Sequence, residues 1–250
     1  MRSGFRIGLI VPSSNTTMET ELPELFRRRE QQLPERFTFH SSRMAMQQVT
    51  PEALARMDRE SDRCAMELAD ARCDVLAYAC LVAVMASGQG YHCVAETRLA
   101  QVVSAAAGPV PVVTSAGALV EGICALGARR VALIAPYLRS LTRVVIDYLG
   151  AYGIEVVDAV SLEIADNVAV GRLDPMDLLS VAERLDVSDA DALVASACVQ
   201  MPSLPVIAEL EQRLGKPVLS AATATTRQLL TRLGLDPVIP AAGSLLSDMR

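Results

Sequence analysis

Two cysteines, Cys80 and Cys198, close two similar segments of the chain, CDVLAYAC and ADALVASAC. Each segment is apolar and predicts a buried strand, and each thiol is expected where its strand turns toward a helix. Amides at a helix N-terminus stabilise a thiolate, whose pKa is roughly 3.5–7.5 in such places. A thiolate is a nucleophile for covalent catalysis, and a second thiol opposite it can move a proton. One such cysteine alone would be interpreted as a core residue, but the matched pair favours catalysis.

The other four cysteines, at positions 64, 73, 93 and 124, lie in or beside predicted helices, and we interpret them as structural. The cysteines are irregularly spaced without a CxxC pair, so they do not indicate a disulfide framework. With only two histidines in the sequence, zinc ligation is poorly supported. A general-base role for His92 is disfavoured, because a lone histidine beside a tyrosine is more often a surface or core residue. The sequence predicts no metal site and no cofactor.

The elements that must position the two thiols alternate between strands and helices. Such alternation is typical of an α/β fold with a doubly wound parallel sheet. A single helix is predicted over Pro51–Arg72, and Ser14 or Asn15 is predicted to cap the first helix of the chain. The predicted strands span residues 6–11, 37–42, 75–80, 110–113, 130–135, 155–159, 192–197 and 217–219.

An internal duplication divides this pattern into two halves. RIGLIVP at 6–12 is similar to RVALIAP at 130–136, and two further pairs of segments follow in the same order. We therefore predict two similar doubly wound halves related by a pseudo-twofold axis. The predicted boundaries are 1–128 and 129–215, with 216–250 packing across onto the first half. Ligands bind at the carboxyl ends of parallel strands, so the thiols should face each other across a site between the halves.

Composition excludes several classes of protein. The chain has 250 residues, a net charge of −6 and 51% hydrophobic residues, which argues against nucleic-acid binding and against disorder. The longest apolar run, Val75–Ala86, is too short to span a membrane, which takes about 20 residues. The N-terminal segment does not resemble a signal peptide. We expect a cytoplasmic protein, and the apolar composition favours a homodimer or a higher homo-oligomer.

Five short segments together resemble the maleate cis-trans isomerases of the aspartate/glutamate racemase superfamily. The resemblance covers essentially the whole chain, including its length. It implies the two-half fold, conversion of maleate to fumarate without a cofactor, and a dimeric assembly. The segments are PSSNTT (12–17), ACLVA (79–83), APY (135–137), ADN (165–167) and SACVQM (196–201).

The same resemblance implies a role for each matched position. Cys80 resembles the family's nucleophile, and Cys198 resembles its second catalytic thiol. Further positions resemble the family's substrate contacts: Asn15, Tyr137 and Asn167 for the carboxylates, and Pro12 and the backbone around Val82 for the rest of the pocket. From the sequence alone, Asn15 is more readily a helix cap than a ligand, and Asn167 is more readily a turn residue. Tyr137 is a loop aromatic as readily as it is a ligand.

The chemistry of the residues agrees with this function. A carbon–carbon double bond rotates only after it has become a single bond, and addition of a thiolate to one alkene carbon achieves this. The dianionic substrate needs hydrogen-bond donors near helix N-termini, which segments 12–17, 114–117 and 220–223 could supply. The nearest alternative is an amino-acid or hydantoin racemase that uses the thiols as opposing acid and base. A single-thiol decarboxylase of the superfamily and a non-catalytic carboxylate-binding protein are further alternatives.

Overall fold

Two parallel four-stranded sheets form the framework of the protein. A computed structural model describes residues 4–46 and 49–247. In the first sheet the strand order is β2-β1-β3-β4, with β1 Gly4–Pro12, β2 Arg36–Met44, β3 Val75–Tyr78 and β4 Val112–Thr114. In the second sheet the order is β6-β5-β7-β8, with β5 Arg130–Ala135, β6 Glu155–Ser161, β7 Ala192–Ser196 and β8 Val218–Ser220. The order repeats, which confirms the predicted fold of two similar doubly wound halves.

Helices connect the strands and cover the sheets. Among the described residues they are α1 Met18–Glu30, α2 Pro51–Asp58, α3 Ser61–Asp70, α4 Leu81–Ala86, α5 Tyr91–Ala107, α6 Ser115–Ala125, α7 Arg139–Gly150, α8 Asn167–Gly171, α9 Asp177–Ala182, α10 Ile207–Leu214 and α11 Ala221–Arg232. Short 3₁₀ turns lie at Leu204–Val206 and Ser244–Leu246. No described helix is long and apolar enough to cross a membrane.

The predicted single helix over Pro51–Arg72 is wrong, because the chain forms α2 and α3 with a turn between them. The hydroxyl of Ser61 donates a hydrogen bond of 2.6 Å to the carbonyl of Asp58. A serine hydroxyl that takes a main-chain carbonyl competes with the regular helical ladder. The break turns the Asp58 side chain inward, where it accepts hydrogen bonds from the hydroxyls of Tyr78 and Tyr91.

The core of the first half lies where β1 and β3 pair. Ile7 stands opposite Val75, and both side chains are fully buried. Gly8 is the position where this packing is closest, because a Cβ there would lie 2.3 Å from a Leu76 methyl group. Since both faces of the strands are covered, the carboxyl ends of the strands are the places that a ligand can approach.

The C-terminal segment contributes to both halves. Strand β8 pairs with β7, so the second sheet takes its last strand from beyond residue 215. Helix α11 then packs against α6 and α1 of the first half. One polar contact in this packing joins the hydroxyls of Thr225 and Ser115, which lie 3.0 Å apart. The boundaries inferred from the sequence stay predictions.

Candidate active site

Cys80 lies two residues after β3 and is the N-cap residue of α4. Its side chain is 4% exposed. The pKa of the thiol is raised to about 12: burial raises it most, Cys198 and Asp58 add to the rise, and the backbone amide of Ala83 lowers it. The stabilisation of the thiolate by helix amides, which the sequence led us to expect, is therefore outweighed here. The helix amides do favour the thiolate, but the loss of solvation in a buried site is the larger effect.

Cys198 lies two residues after β7, at the equivalent place in the second half. The helix that follows this thiol in the chain is predicted over 204–214, and a helical turn does begin at Leu204 and continue into α10, so bends and turns at 197–201 separate Cys198 from the helix. The backbone N–H of Gln200 donates to the Cys198 sulfur at 3.3 Å. Burial raises the pKa of this thiol as well, and Tyr137 and the amides of Gln200 and Met201 lower it.

Tyr137 follows β5 and is buried beside both thiols. It interacts electrostatically with Cys80 and Cys198, and burial raises its own pKa well above the usual range, so the hydroxyl remains protonated. The two thiols also act on each other. Three side chains from the ends of β3, β5 and β7 therefore meet in one place, with each half supplying one thiol.

Residues 12–17 form the loop between β1 and α1, and Asn15 is its central buried residue. Helix α1 has Thr17 as its N-cap residue, so the expectation that Ser14 or Asn15 occupies that position is wrong. Asn15 nevertheless accepts a hydrogen bond from the Met18 amide through Oδ1, at 3.1 Å. Its Nδ2 donates to the carbonyl of Val199 at 3.3 Å. A carboxamide nitrogen has two hydrogens, so one N–H can serve a ligand. The loop begins at Pro12, whose carbonyl accepts the Asn15 amide at 2.8 Å.

Asn167 is the first residue of α8 and contacts the loop at 12–17. Its Nδ2 donates to the hydroxyl of Ser14 at 2.8 Å, and its side chain is 4% exposed. Asp166, directly before it, caps α8 by accepting the amide of Val168. Val82 is the second residue of α4 and is buried next to the Cys80 turn. The structure thus joins Asn167 to the loop at 12–17, and both to the turn after Cys198.

Two of the helix N-termini suggested for anion binding are satisfied within the protein. The backbone amide and hydroxyl of Thr114 both donate to the Glu96 carboxylate, at 2.9 and 3.0 Å. Ser220 and Thr223 cap α11 reciprocally. The Glu96 carboxylate beside Thr114 would repel an anionic ligand at this position. The loop at 12–17 is the remaining one of the three suggested segments, and it reaches the turn after Cys198.

Gln200 lies between Asn167, the loop at 12–17 and Cys198, and the sequence analysis missed it. Its side chain lies between the loop at 12–17 and Asn167, and its main chain contacts Cys198 and Thr17. The available signal was its place two residues after Cys198, within the segment SACVQM. His92, which the sequence analysis set aside, lies 2.5 Å from the Tyr148 hydroxyl through Nδ1. Among the described residues no group of three or more potential metal ligands occurs.

Comparisons with known proteins agree with this geometry. The family model that matches is that of arylmalonate decarboxylase, over residues 7–246. The maleate isomerase of Geobacillus stearothermophilus is 60% identical over 248 residues, which cover 99% of each chain. The chain belongs to the maleate isomerase family.

Two solved structures of maleate isomerases extend the comparison to three dimensions. A cysteine-to-alanine variant from Pseudomonas putida S16, solved with maleate, is 55% identical, with a TM-score of 0.97 and 98% of each chain covered. A cysteine-to-serine variant of the Nocardia farcinica maleate cis-trans isomerase holds a covalently bound succinylcysteine intermediate. It is 47% identical, with a TM-score of 0.95, and the match covers 99% of this chain and 100% of that one.

Proposed function

We propose that this protein is a maleate isomerase that converts maleate to fumarate without a cofactor. The observation that carries the proposal is the meeting of two buried thiols, one from each half, with Tyr137 at the same place. The membership of the maleate isomerase family, at 60% identity to one member, supports the substrate. The alternative of a two-thiol racemase has no comparable support, because relatives that share about half or more of their residues with this chain are maleate isomerases.

The first step is the addition of Cys80 to the alkene. The reactive form is the thiolate, so the Cys80 proton leaves to solvent before the sulfur attacks. A bond then forms between Sγ and one alkene carbon, and the electron pair of the double bond moves toward the carboxylate on the other carbon. Donors aimed at that carboxylate stabilise the developing enediolate. Asn15, Tyr137 and Asn167 are the side chains that we assign to this task.

Cys198 transfers the proton to and from the second carbon. It donates its proton to the carbanionic carbon, which gives a succinyl group bound to Cys80. The Cys198 thiolate that remains is favoured by Tyr137 and by the amides of Gln200 and Met201, which lower the pKa of Cys198. After rotation about the new single bond, the Cys198 thiolate removes a proton from the second carbon. The double bond re-forms as the carbon–sulfur bond breaks, and Cys80 leaves as a thiolate. The covalent succinylcysteine in the Nocardia farcinica relative supports this intermediate.

The environment of the protein belongs to the proposal as well. We propose a cytoplasmic protein, because all six cysteines are free and two of them must stay reduced for catalysis.

We also propose a homodimer or a higher homo-oligomer. Exposed apolar side chains such as Val94, which is 56% exposed, and Met66, which is 50% exposed, support an association surface.

The experiment that tests the function is proton NMR of maleate incubated with the protein, without added cofactor and after dialysis against EDTA. We expect the maleate signal to be replaced by that of fumarate. Cys80→Ser and Cys80→Ala should both be essentially inactive, because a hydroxyl is a far poorer nucleophile than a thiolate near neutral pH. Cys124→Ala is the matched control, since Cys124 is exposed on α6. Persistence of maleate with the wild-type protein would refute the function, and an active Cys80→Ser variant would refute the covalent step.

A further inference from the structure

The side chain of Gln200 uses every hydrogen-bonding position of its carboxamide. Nε2 donates to the carbonyl of Ser14 at 3.0 Å and to the carbonyl of Asn167 at 2.9 Å. Oε1 accepts the backbone amides of Thr16 at 2.9 Å and Thr17 at 3.3 Å. Two carbonyls face the nitrogen and two N–H groups face the oxygen, so the partners also determine the orientation of the amide.

The main chain of Gln200 makes two more contacts in the same region. Its carbonyl accepts the hydroxyl of Thr17 at 2.7 Å, and its N–H donates to the Cys198 sulfur at 3.3 Å. The residue is 2% exposed. Gln200 therefore touches three segments at once: the loop at 12–17, the start of α8 and the turn that carries Cys198. These segments belong to both halves and hold three of the side chains proposed to act on the substrate.

We propose that Gln200 is a positioning residue that sets the distance between Cys198 and the substrate-binding side chains Asn15 and Asn167. The inference rests on the proposed function for the meaning of that distance. Gln200 does not itself receive the substrate in this proposal, because all four positions of its carboxamide are used inside the protein. It acts through Cys198, which proton transfer requires, and through the loop that binds the carboxylates.

Only an uncharged amide of this length satisfies the arrangement. A glutamate would present carboxylate oxygen to the carbonyls of Ser14 and Asn167, and would have no donor for them. An alanine would leave two carbonyls and two N–H groups without their partner, so the loop and the turn could move apart. A misplacement of about 1 Å in an active site costs on the order of 10²-fold in rate. We therefore expect Gln200→Ala to lower kcat by about that factor and to raise KM.

Gly171 offers a way to displace the same carboxamide without changing Gln200. It is the last residue of α8, and a Cβ there would lie 2.3 Å from Nε2 and 2.9 Å from Cδ of Gln200. Gly171→Ala must therefore push the amide away from its partners. Gly150 ends α7 in the same way, but a Cβ there meets nothing within 4 Å. Gly150→Ala is thus the matched control.

The test is a double-variant cycle with maleate as substrate, measuring kcat, KM and the melting temperature of each protein. Gln200→Ala and Gly171→Ala should each lower kcat by about 10²-fold, while Gly150→Ala stays like the wild type. The double variant should be no slower than either single variant, because Gln200→Ala removes the carboxamide that the methyl group added by Gly171→Ala would displace. Independent effects would instead multiply to about 10⁴-fold.

Two results would overturn the inference: a kcat of Gln200→Ala within threefold of the wild type, or multiplicative losses in the double variant. If Gln200→Ala does not fold, Gly171→Ala against Gly150→Ala gives the answer alone. Failure of the proposed function is recognised separately, as absence of turnover in the wild type. In that case alkylation of Cys198 by iodoacetamide, located by peptide mass spectrometry, should still be faster in Gly171→Ala than in Gly150→Ala. Equal rates there would overturn the inference.

Discussion

At the scale of single residues, the proposed nucleophile is a buried thiol that is protonated at neutral pH. Burial raises the pKa of Cys80 to about 12, against the usual value of 9.0, and the backbone amide of Ala83 lowers it less than burial raises it. The reactive thiolate is therefore a small fraction of the protein. That fraction grows with pH, because a thiol loses its proton as the pH approaches its pKa.

The alkylation rate of Cys80 should follow this fraction. Below the pKa the thiolate population rises about tenfold for each pH unit, so the rate of reaction with iodoacetamide should climb without a plateau from about pH 7 to about pH 10. Mass spectrometry of the peptide that carries Cys80 gives the rate. Cys124, which is exposed, is the internal reference within the same sample. A plateau for Cys80 near pH 8 would contradict the raised pKa and would mean that the helix amides outweigh burial.

The sequence predicted the pair of thiols because both close similar apolar segments, and it predicted Asn15, Tyr137 and Asn167 only through the family resemblance. The pKa of Cys80 could not be predicted, since it depends on how completely other segments cover the sulfur. Gln200 was missed for a related reason. Its place in SACVQM indicates that it lies near Cys198, but its carboxamide partners lie 33 to 186 positions away in sequence, and no local pattern reveals those contacts.

At the scale of elements, Glu21 ties helix α1 to the second half. Oε1 of this buried carboxylate accepts the backbone amides of Ser203 at 2.5 Å and Leu204 at 2.7 Å. Those amides begin the helical turn that precedes α10, and helix starts have N–H groups without partners of their own. Burial raises the pKa of Glu21, and the two amides oppose this by favouring the carboxylate. The side chain thus fixes α1 against the segment that follows Cys198.

Replacement of Glu21 should therefore destabilise the protein. Glu21→Ala leaves two buried N–H groups without an acceptor, and each such group costs about 1–3 kcal/mol. Glu21→Gln keeps an oxygen at the Oε1 position and should cost less. The measurement is the free energy of unfolding in urea. Glu24→Ala is the control, because Glu24 is 41% exposed in salt bridges with Arg27 and Arg28, and such surface pairs contribute about 0–1 kcal/mol. Equal losses for Glu21→Ala and Glu24→Ala would contradict the role of Glu21.

The elements that sequence reasoning got wrong were decided by single polar contacts. The break between α2 and α3 depends on the Ser61 hydroxyl and on Asp58 turning toward Tyr78 and Tyr91. Apolar periodicity continues across both helices, so it predicted one helix. The strands were more predictable, because buried parallel strands are short, continuous apolar runs.

At the scale of the whole molecule, the repeated strand order is what brings one thiol from each half to one place. Because the duplication is visible in the sequence, this arrangement was predictable. The course of the C-terminal segment was harder to predict, since its strand β8 joins the second sheet while α11 packs on α6 and α1 of the first half. Membership of one half or the other is not a property that local sequence determines.

Contacts of the C-terminal segment, which contains β8 and α11, tie the halves into one structural unit. Nη1 of Arg29, on α1, donates to the carbonyls of Asp236 at 2.6 Å and Val238 at 2.8 Å. The Arg29 side chain is 3% exposed and also pairs with Glu35. Loss of one partner from a buried pair costs about 3–5 kcal/mol, because the remaining charge is left uncompensated. Because β8 of the same segment pairs with β7 of the second sheet, the halves could separate only by breaking either that strand pairing or these contacts.

Unfolding in urea should consequently be a single transition that includes the active site. The chain has no tryptophan, so far-UV circular dichroism can report the helices, while alkylation of Cys80 and Cys198 reports the two halves separately. We expect the three midpoints to coincide, as two-state behaviour requires. Arg29→Met should lower all three midpoints together, whereas Arg27→Met, at a residue 61% exposed on the same helix, should leave them nearly unchanged. If Cys198 became reactive well before Cys80, the halves would be separate folding units. The proposed site would then be assembled by docking of preformed halves.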